Sequence, residues 1–165
     1  MKKALAVALA AAGALALVLA VAWASPAAAP AQPVPYSHKV HAGDYQIGCL
    51  ACHVQAERSP VAGIPSMQRC AGCHKFAGKD KPAVQAVMKA VEDEKPLEWV
   101  RVYRLPDHVY FTHERHVAAK LACQECHGPV QAMEAVRQEA PLTMGWCLGC
   151  HEKKQASRDC WTCHK

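Results

Sequence analysis

One pentapeptide occurs five times in this 165-residue chain, and it limits the possible folds more than any other feature. The copies read C-x-x-C-H and are called here the first to fifth motifs. This spacing is the attachment signal for c-type haem, because two thiols add to the vinyl groups of one porphyrin and the next residue ligates the iron. The motifs use all ten cysteines, which are Cys49, Cys52, Cys70, Cys73, Cys123, Cys126, Cys147, Cys150, Cys160 and Cys163.

Two other uses of paired cysteines explain less of the pattern. A structural zinc ion takes four ligands, usually from two such pairs, so five pairs leave one unmatched and five His unexplained. A disulfide within C-x-x-C closes a very tight loop and is a poor structural bridge. The motifs therefore predict five covalently attached haem c groups, with proximal iron ligands His53, His74, His127, His151 and His164.

Composition indicates that these groups would form the core. Two Phe, four Tyr and four Trp are few for a chain of this length, so protein side chains alone would struggle to bury enough apolar surface. The predicted fold is a small multihaem cytochrome c of mostly loops and short α-helices packed around five covalent haems, with little β structure. The formal charge of +5 includes Lys2 and Lys3 of the N-terminal segment, and without them it is +3. Each haem adds two propionates and, when ferric, about one positive charge, so the oxidised holoprotein carries about −2. This excludes a nucleic-acid-binding role based on charge.

The N-terminal segment, residues 1–24, has two interpretations. Lys2 and Lys3 precede an uncharged stretch, and Ala22-Trp23-Ala24 fits the cleavage pattern of a signal peptide. The uncharged residues 4–24 are also long enough to cross a bilayer as a hydrophobic helix, which would make the segment a retained anchor. Both interpretations predict export to the periplasmic side of the cytoplasmic membrane, with the chain either anchored or soluble after cleavage. Residues 25–33 form a Pro/Ala-rich tether, which we expect to be extended.

The cytochrome domain, residues 34–165, is an internal duplication. Val34-Pro-Tyr-Ser-His38-Lys-Val-His41 precedes the first two motifs, and Val109-Tyr-Phe-Thr-His113-Glu-Arg-His116 precedes the third and fourth. We call residues 34–78 the first half and residues 109–155 the second half. The fifth motif, residues 160–164, is an addition to this doubled unit. Two copies indicate a duplication and not a repeat array.

Few regular elements are expected beside the motifs. Pro82 lies at a predicted helix start, and Lys95-Pro96 ends that helix. A second helix is predicted over residues 129–139 from its apolar spacing. Residues 97–105 are typical of a short extended segment. Each motif is expected to lie at the start of a short helix.

The sixth iron position decides between electron transfer, in which it is filled, and catalysis, in which it is open. The five His outside the motifs provide candidates for it. The two H-x-x-H pairs occupy the same place in each half, which predicts His38, His41, His113 and His116 as distal ligands. His108 and Met144 both remain candidates for the fifth; His108 is favoured because Met144 has a counterpart, Met67, in the first half.

The pattern V-x-[FY]-[ST]-H-x-x-H followed by C-x-x-C-H resembles the class III multihaem cytochromes c, the cytochrome c3 and c7 group. Longer stretches are similar to the pentahaem subunit of alternative complex III, a bacterial quinol-oxidising complex, and a related multihaem subunit serves in quinone reductase complexes. The resemblance covers residues 34–164, and its longer stretches are residues 36–43, 63–66, 99–102, 105–111, 123–130 and 141–147. It implies an N-terminal membrane helix, iron–sulfur and quinol-binding membrane subunits as partners, and a cytochrome or oxidase as acceptor.

Two functions follow from these observations. The first is electron transfer through a row of five haems, from a membrane quinol-oxidising complex to a periplasmic acceptor, without enzymatic activity of its own. The second is a multihaem reductase of a small oxyanion such as nitrite, which needs one open iron. Five candidate distal ligands for five haems favour the first function.

Overall fold

The computed structural model describes residues 28–164. Its elements are short, and we number the α-helices in chain order. They are α1 (Cys49–Cys52), α2 (Met67–His74), α3 (Pro82–Glu92), α4 (His113–Ala118), α5 (Gln124–His127), α6 (Met144–Lys153) and α7 (Cys160–Cys163), together with a π-helical turn (Lys39–Asp44) and a 3-10 turn (Val130–Ala132). The described residues contain no β-strand, in agreement with the expected fold class.

The predicted N-terminal segment, residues 1–24, lies outside the described residues, as does the start of the predicted tether. Within residues 28–164, no helix is long and apolar enough to cross a membrane.

Very little of the described chain is buried by protein alone. The buried apolar side chains are Val34, Ala56, Val84, Met133 and Ala140, and none of them is completely enclosed. A chain of this length normally closes around a continuous apolar core. These five residues are too few to form one, so the space between the helices suits additional apolar groups.

The helix predicted to begin near Pro82 is confirmed as α3. Pro82 occupies its first turn, where the missing N–H costs nothing. Val84 on its inner face is buried, and α3 packs against α2. Helix α3 therefore supports the helix that bears the second motif.

The helix predicted over residues 129–139 is wrong, because only the 3-10 turn forms there. Tertiary hydrogen bonds compete for the backbone of the following residues. The Met133 carbonyl accepts from the Lys39 amide (2.9 Å), the Glu139 amide donates to the Tyr103 hydroxyl (3.2 Å), and that hydroxyl donates to the Arg137 carbonyl (3.1 Å). Apolar spacing alone does not reveal such partners.

The expectation that each motif begins a helix is correct for the first, third and fifth motifs and wrong for the second and fourth. Helices α2 and α6 begin three residues before their first Cys, at Met67 and Met144. Ser66 and Thr143 precede them in extended conformation, and the Thr143 hydroxyl accepts from the Trp146 amide. These N-cap positions start the helices earlier than the motifs do.

The two halves hold each other at equivalent places. The Lys39 amide, at the start of the π-helical turn, donates to the Met133 carbonyl six residues after the third motif (2.9 Å). The His113 amide, at the start of α4, donates to the Pro60 carbonyl seven residues after the first motif (3.1 Å). Each ligand-bearing turn is therefore fixed by the other half, an exchange that we call the reciprocal clamp.

Candidate haem-ligating histidine pairs

Every motif His faces one His from outside the motifs. The distances between ring centroids are 6.4 Å for His38 and His53, 5.9 Å for His41 and His74, 6.3 Å for His113 and His127, 6.1 Å for His116 and His151, and 5.6 Å for His108 and His164. The structure thus brings together all ten predicted His ligands, as five separate pairs.

This spacing fits one metal ion between the two rings of each pair. Two imidazoles on opposite sides of a metal, each with a bond of about 2 Å to its nitrogen, have centroids roughly 6 Å apart. Rings packed directly against each other would lie closer, as Tyr36 and His41 do at 4.5 Å. The residues present therefore fit haem with two axial His ligands. Among residues 28–164, no group of three or more His, Cys, Asp or Glu side chains is arranged to hold a metal ion.

The pairing follows the duplication. The first His of each H-x-x-H pair faces the first motif of its own half, as His38 and His113 do. The second His of each pair faces the second motif of that half, as His41 and His116 do. The sequence predicted these four residues as distal ligands but offered no way to assign them to individual motifs.

The fifth pair joins the two residues that stand outside the duplication. His108 faces His164, and the two rings are inclined by 22°. The His164 Nδ1 lies 3.1 Å from the His108 carbonyl, and the Tyr110 amide donates to the Cys163 carbonyl at 2.7 Å. Met144, the alternative candidate, is 63% exposed at the start of α6. The geometry therefore supports His108 over Met144.

Backbone carbonyls orient most of these rings. In seven of the ten His, Nδ1 lies 2.6–3.1 Å from a carbonyl oxygen. Such a bond keeps the proton on Nδ1, fixes the ring, and leaves Nε2 free to bind a metal. The seven residues are His41, His53, His74, His113, His116, His151 and His164.

His38 lacks such an acceptor although its Nδ1 is buried. Burial, with smaller contributions from the neighbouring His53 and His41, lowers its pKa to about 4. Burial likewise lowers the pKa of His127, helped by His113. Both rings are therefore held neutral, which is the form that binds a metal.

Tyr103 supports the third motif, and sequence reasoning did not single it out. Its ring meets the His127 ring edge-on at 4.4 Å. Its hydroxyl lies 3.3 Å from the His127 carbonyl and 3.1 Å from the Arg137 carbonyl. The only sequence signal was the extended segment 97–105, which places Tyr103 without indicating a partner.

Neighbouring thiols show that the first motif lies between the second and the third. Burial raises the pKa of the Cys70 thiol, and the nearby Cys52 raises it further. Burial also raises the pKa of Cys123, to which the nearby Cys49 adds. Thiols influence each other in this way only at short range. Arg69 in α2 also donates to the Ala51 carbonyl in α1 at 2.7 Å.

The row continues from the third motif to the fourth and fifth. Burial raises the pKa of Cys126, with Cys150 as the next cause. Burial raises the pKa of Cys147 as well, with Cys163 as the next cause. These neighbours connect the second motif to the first, the first to the third, the third to the fourth and the fourth to the fifth, a sequence that differs from the order of the motifs along the chain.

Comparison with known proteins finds two cytochrome c families and one multihaem relative that are similar to this chain. A model of the class III cytochrome c family matches residues 19–100, and a model of cytochrome c7 and related cytochromes c matches residues 109–165. The chain is also 30% identical to the multihaem cytochrome c subunit of menaquinone reductase from Nitratidesulfovibrio vulgaris Hildenborough, over 161 aligned residues. The alignment covers 81% of this chain and 77% of that relative. Motifs, paired His and relatives agree that the chain belongs to the class III multihaem cytochromes c, which bind haem c covalently and transfer electrons.

Proposed function

We propose that this protein transfers electrons along a row of five covalently attached haem c groups, and that it links a membrane quinol-oxidising complex to a periplasmic acceptor. When bound, haem supplies one-electron chemistry, and the protein supplies axial ligands, burial and nearby charge. The chain therefore acts as a relay and performs no bond chemistry of its own.

The observation that carries this proposal is the closure of all five sites. Each motif His has a second imidazole about 6 Å away (5.6–6.4 Å between centroids), and two axial His leave no iron position for a substrate. A small-oxyanion reductase needs one such open position. The structure offers no pair in which the second ring is missing among residues 28–164.

The ends of the row suit different partners. At the fifth motif, Trp161 is 73% exposed and His108 is also exposed, so a soluble acceptor can approach closely. At the other end, the Gln32 side-chain amide makes two hydrogen bonds to the Val100 backbone (3.0 and 2.9 Å). The preceding residue, Trp99, meets Tyr36, which stacks on His41 opposite the second motif.

Gln32, near the end of the tether, is thus held on the side of the second motif. If residues 1–24 hold the chain at the membrane, the second motif is the one nearest to membrane partners and the fifth is the most distant. The relative is named as a subunit of a menaquinone reductase, which supports partners that react with a membrane quinone. We infer a location on the periplasmic side of the cytoplasmic membrane, where C-x-x-C-H motifs receive haem.

Near-infrared magnetic circular dichroism of the oxidised holoprotein tests the closure of the sites. We expect only the bands of bis-His low-spin iron, together with a mass increase equal to five haems. A His/Met band would move the fifth ligand to Met144. A high-spin component would mean an open iron, and it would favour the reductase.

The relay is tested with membranes that contain the protein. We expect a quinol to reduce its haems and an added soluble cytochrome to reoxidise them. Mass spectrometry of the same preparation shows whether residues 1–24 are retained. Haems that quinol leaves oxidised in intact membranes, but dithionite reduces, would contradict the proposed donor.

A further inference from the structure

One aromatic side chain in each half contacts both distal His of that half. Tyr36 meets His38 edge-on, with centroids 4.8 Å apart and planes at 85°, and it stacks on His41 at 4.5 Å and 22°. Phe111 meets His113 at 4.9 Å and 89°, and His116 at 4.4 Å and 32°. The two rings of each H-x-x-H pair therefore share one aromatic neighbour, which meets the first ring edge-on and lies closer to parallel with the second.

The angles within the ligand pairs reflect this arrangement. The first His of each half is almost parallel to its motif His, at 0° for His38 and 7° for His113. The second His is crossed, at 71° for His41 and 51° for His116. The fifth pair, at 22°, is closer to parallel. The five sites thus form a crossed group, at the second and fourth motifs, and a near-parallel group at the other three.

Hydrogen bonds divide the sites in the same way. In the crossed group both rings have Nδ1 within hydrogen-bond distance of a backbone carbonyl, in His41 with His74 and in His116 with His151. In the near-parallel group one ring of each pair has such a carbonyl, namely His53, His113 and His164. A carbonyl acceptor makes the imidazole a more electron-rich ligand.

The angle between axial imidazole planes has a direct electronic consequence. Parallel planes overlap with one of two iron d orbitals of otherwise similar energy and separate them, which gives a rhombic low-spin spectrum. Crossed planes act on both orbitals alike and leave them close in energy, which gives a strongly anisotropic spectrum with a very large maximum g value. Ligand orientation is one of the means by which a protein tunes haem.

We propose that Tyr36 and Phe111 are positioning residues that each fix the planes of two distal ligands and so divide the haem sites into a crossed class of two and a near-parallel class of three. The proposal rests on the bis-His ligation of the proposed function. In this proposal each aromatic residue positions the distal ligands of two sites, one of the crossed class and one of the near-parallel class.

Electron paramagnetic resonance of the oxidised wild-type holoprotein provides the first test. We expect two kinds of low-spin signal, one strongly anisotropic and one rhombic. Their integrated intensities should have a ratio of 2:3, because two sites are crossed and three are near-parallel. A single kind of low-spin signal would overturn the two classes while leaving the ligation intact. A high-spin signal would count against the ligation itself, and the positioning role would fall with it.

Substitution of the aromatic residues provides the second test. Tyr36→Leu should change half of the strongly anisotropic intensity and one of the three rhombic signals, and Phe111→Leu should change the other half and a second rhombic signal. The rhombic signal of the fifth motif should persist in both variants. Tyr36→Phe and Phe111→Tyr keep the ring and should keep the wild-type spectrum.

A matched control separates positioning from general loss of packing. Phe76→Leu removes a ring that is 77% exposed and contacts Lys75, so it should leave all signals unchanged. Loss of haem or stability without a change of g values in Tyr36→Leu would show a purely structural role. That result would overturn the proposal, as would signals that change equally in all five sites.

Discussion

The two halves build the same ligand turn with different helices. Seven residues separate His41 from the first motif, and the turn there is π-helical. Six residues separate His116 from the third motif, and the turn there is α-helical. One additional residue within an α-helix commonly produces a π-helical turn. The first half therefore accommodates its extra residue by a wider turn.

The backbones of the two halves have the same conformation again just before the first and third motifs begin. Gln46 and Lys120 each lie three residues before the first Cys, and both have left-handed φ angles of 53° and 59°. The Ile47 amide donates to the His41 carbonyl and the Leu121 amide to the His116 carbonyl. The difference teaches that the number of intervening residues can vary, whereas the position of the ligand opposite its motif is retained.

The largest expected effect comes from removing equivalent distal ligands. His41→Ala and His116→Ala should each open one of five irons, so that carbon monoxide binds to one fifth of the haem in either variant. The iron would keep its motif His and lose the opposite imidazole. Carbon monoxide difference spectra measure the bound fraction.

Met144→Leu is the matched control and should bind no carbon monoxide. Binding by only one of the two His variants would break the equivalence of the halves. Binding by neither would exclude both residues as ligands.

The second prediction concerns the packing of the π-helical turn against the 3-10 turn. A Cβ added at Gly43 would overlap the Gln131 carbonyl oxygen, and neither backbone segment can move freely. Gly43→Ala should lower the free energy of unfolding by about 3 kcal/mol, measured by denaturant titration of the holoprotein. Gly145→Ala, which meets no atom within 4 Å, should cost much less. Equal effects would show that this contact is dispensable.

The third prediction affects the second half alone. Tyr103→Phe removes the hydroxyl that accepts from the Glu139 amide and lies beside two carbonyls. The loss of these partners should lower the free energy of unfolding by about 1–3 kcal/mol. Tyr45→Phe changes a residue that is 73% exposed and should have almost no effect. An unchanged free energy of unfolding in the Tyr103→Phe variant would mean that the turn after the third motif is stable without the hydrogen bonds of this hydroxyl.

The smallest expected effect concerns Lys39, whose ammonium lies 3.6 Å from Glu134 across the halves and 3.7 Å from Asp44 within its turn. These groups are largely exposed, so Lys39→Met should change the free energy of unfolding by at most about 1 kcal/mol, and less at high salt. Lys154→Met, which breaks an ion pair within the second half, should change the free energy of unfolding by a similarly small amount. A larger, salt-insensitive loss for Lys39 would show that its stem, and not its charge, joins the halves.

The sequence was informative wherever spacing alone fixes chemistry. C-x-x-C-H defines its own attachment site, and the repeated H-x-x-H pairs identified four distal candidates. His108 was less certain, since nothing local distinguishes it from Met144. Its ring is placed opposite His164 by contacts between segments more than 50 residues apart, which a single sequence does not display.

The remaining features depend on tertiary partners. The segment 129–139 has helical spacing, but its backbone forms hydrogen bonds with the Tyr103 hydroxyl instead of forming those of a helix. The roles of Tyr36 and Phe111 were visible only as part of the [FY]-[ST]-H-x-x-H pattern. The spatial order of the motifs also lay beyond sequence reasoning, because the first motif contacts the second and the third at once.

The reciprocal clamp has a consequence for the order in which the protein matures. A polypeptide is made from its N-terminus, so the turn with His38 and His41 exists well before its hydrogen-bond partner Met133. The first two motifs are therefore complete as attachment sites while their distal ligands are still unsupported. The turn with His38 and His41 therefore gains its hydrogen bond to the Met133 carbonyl only after the second half has been made.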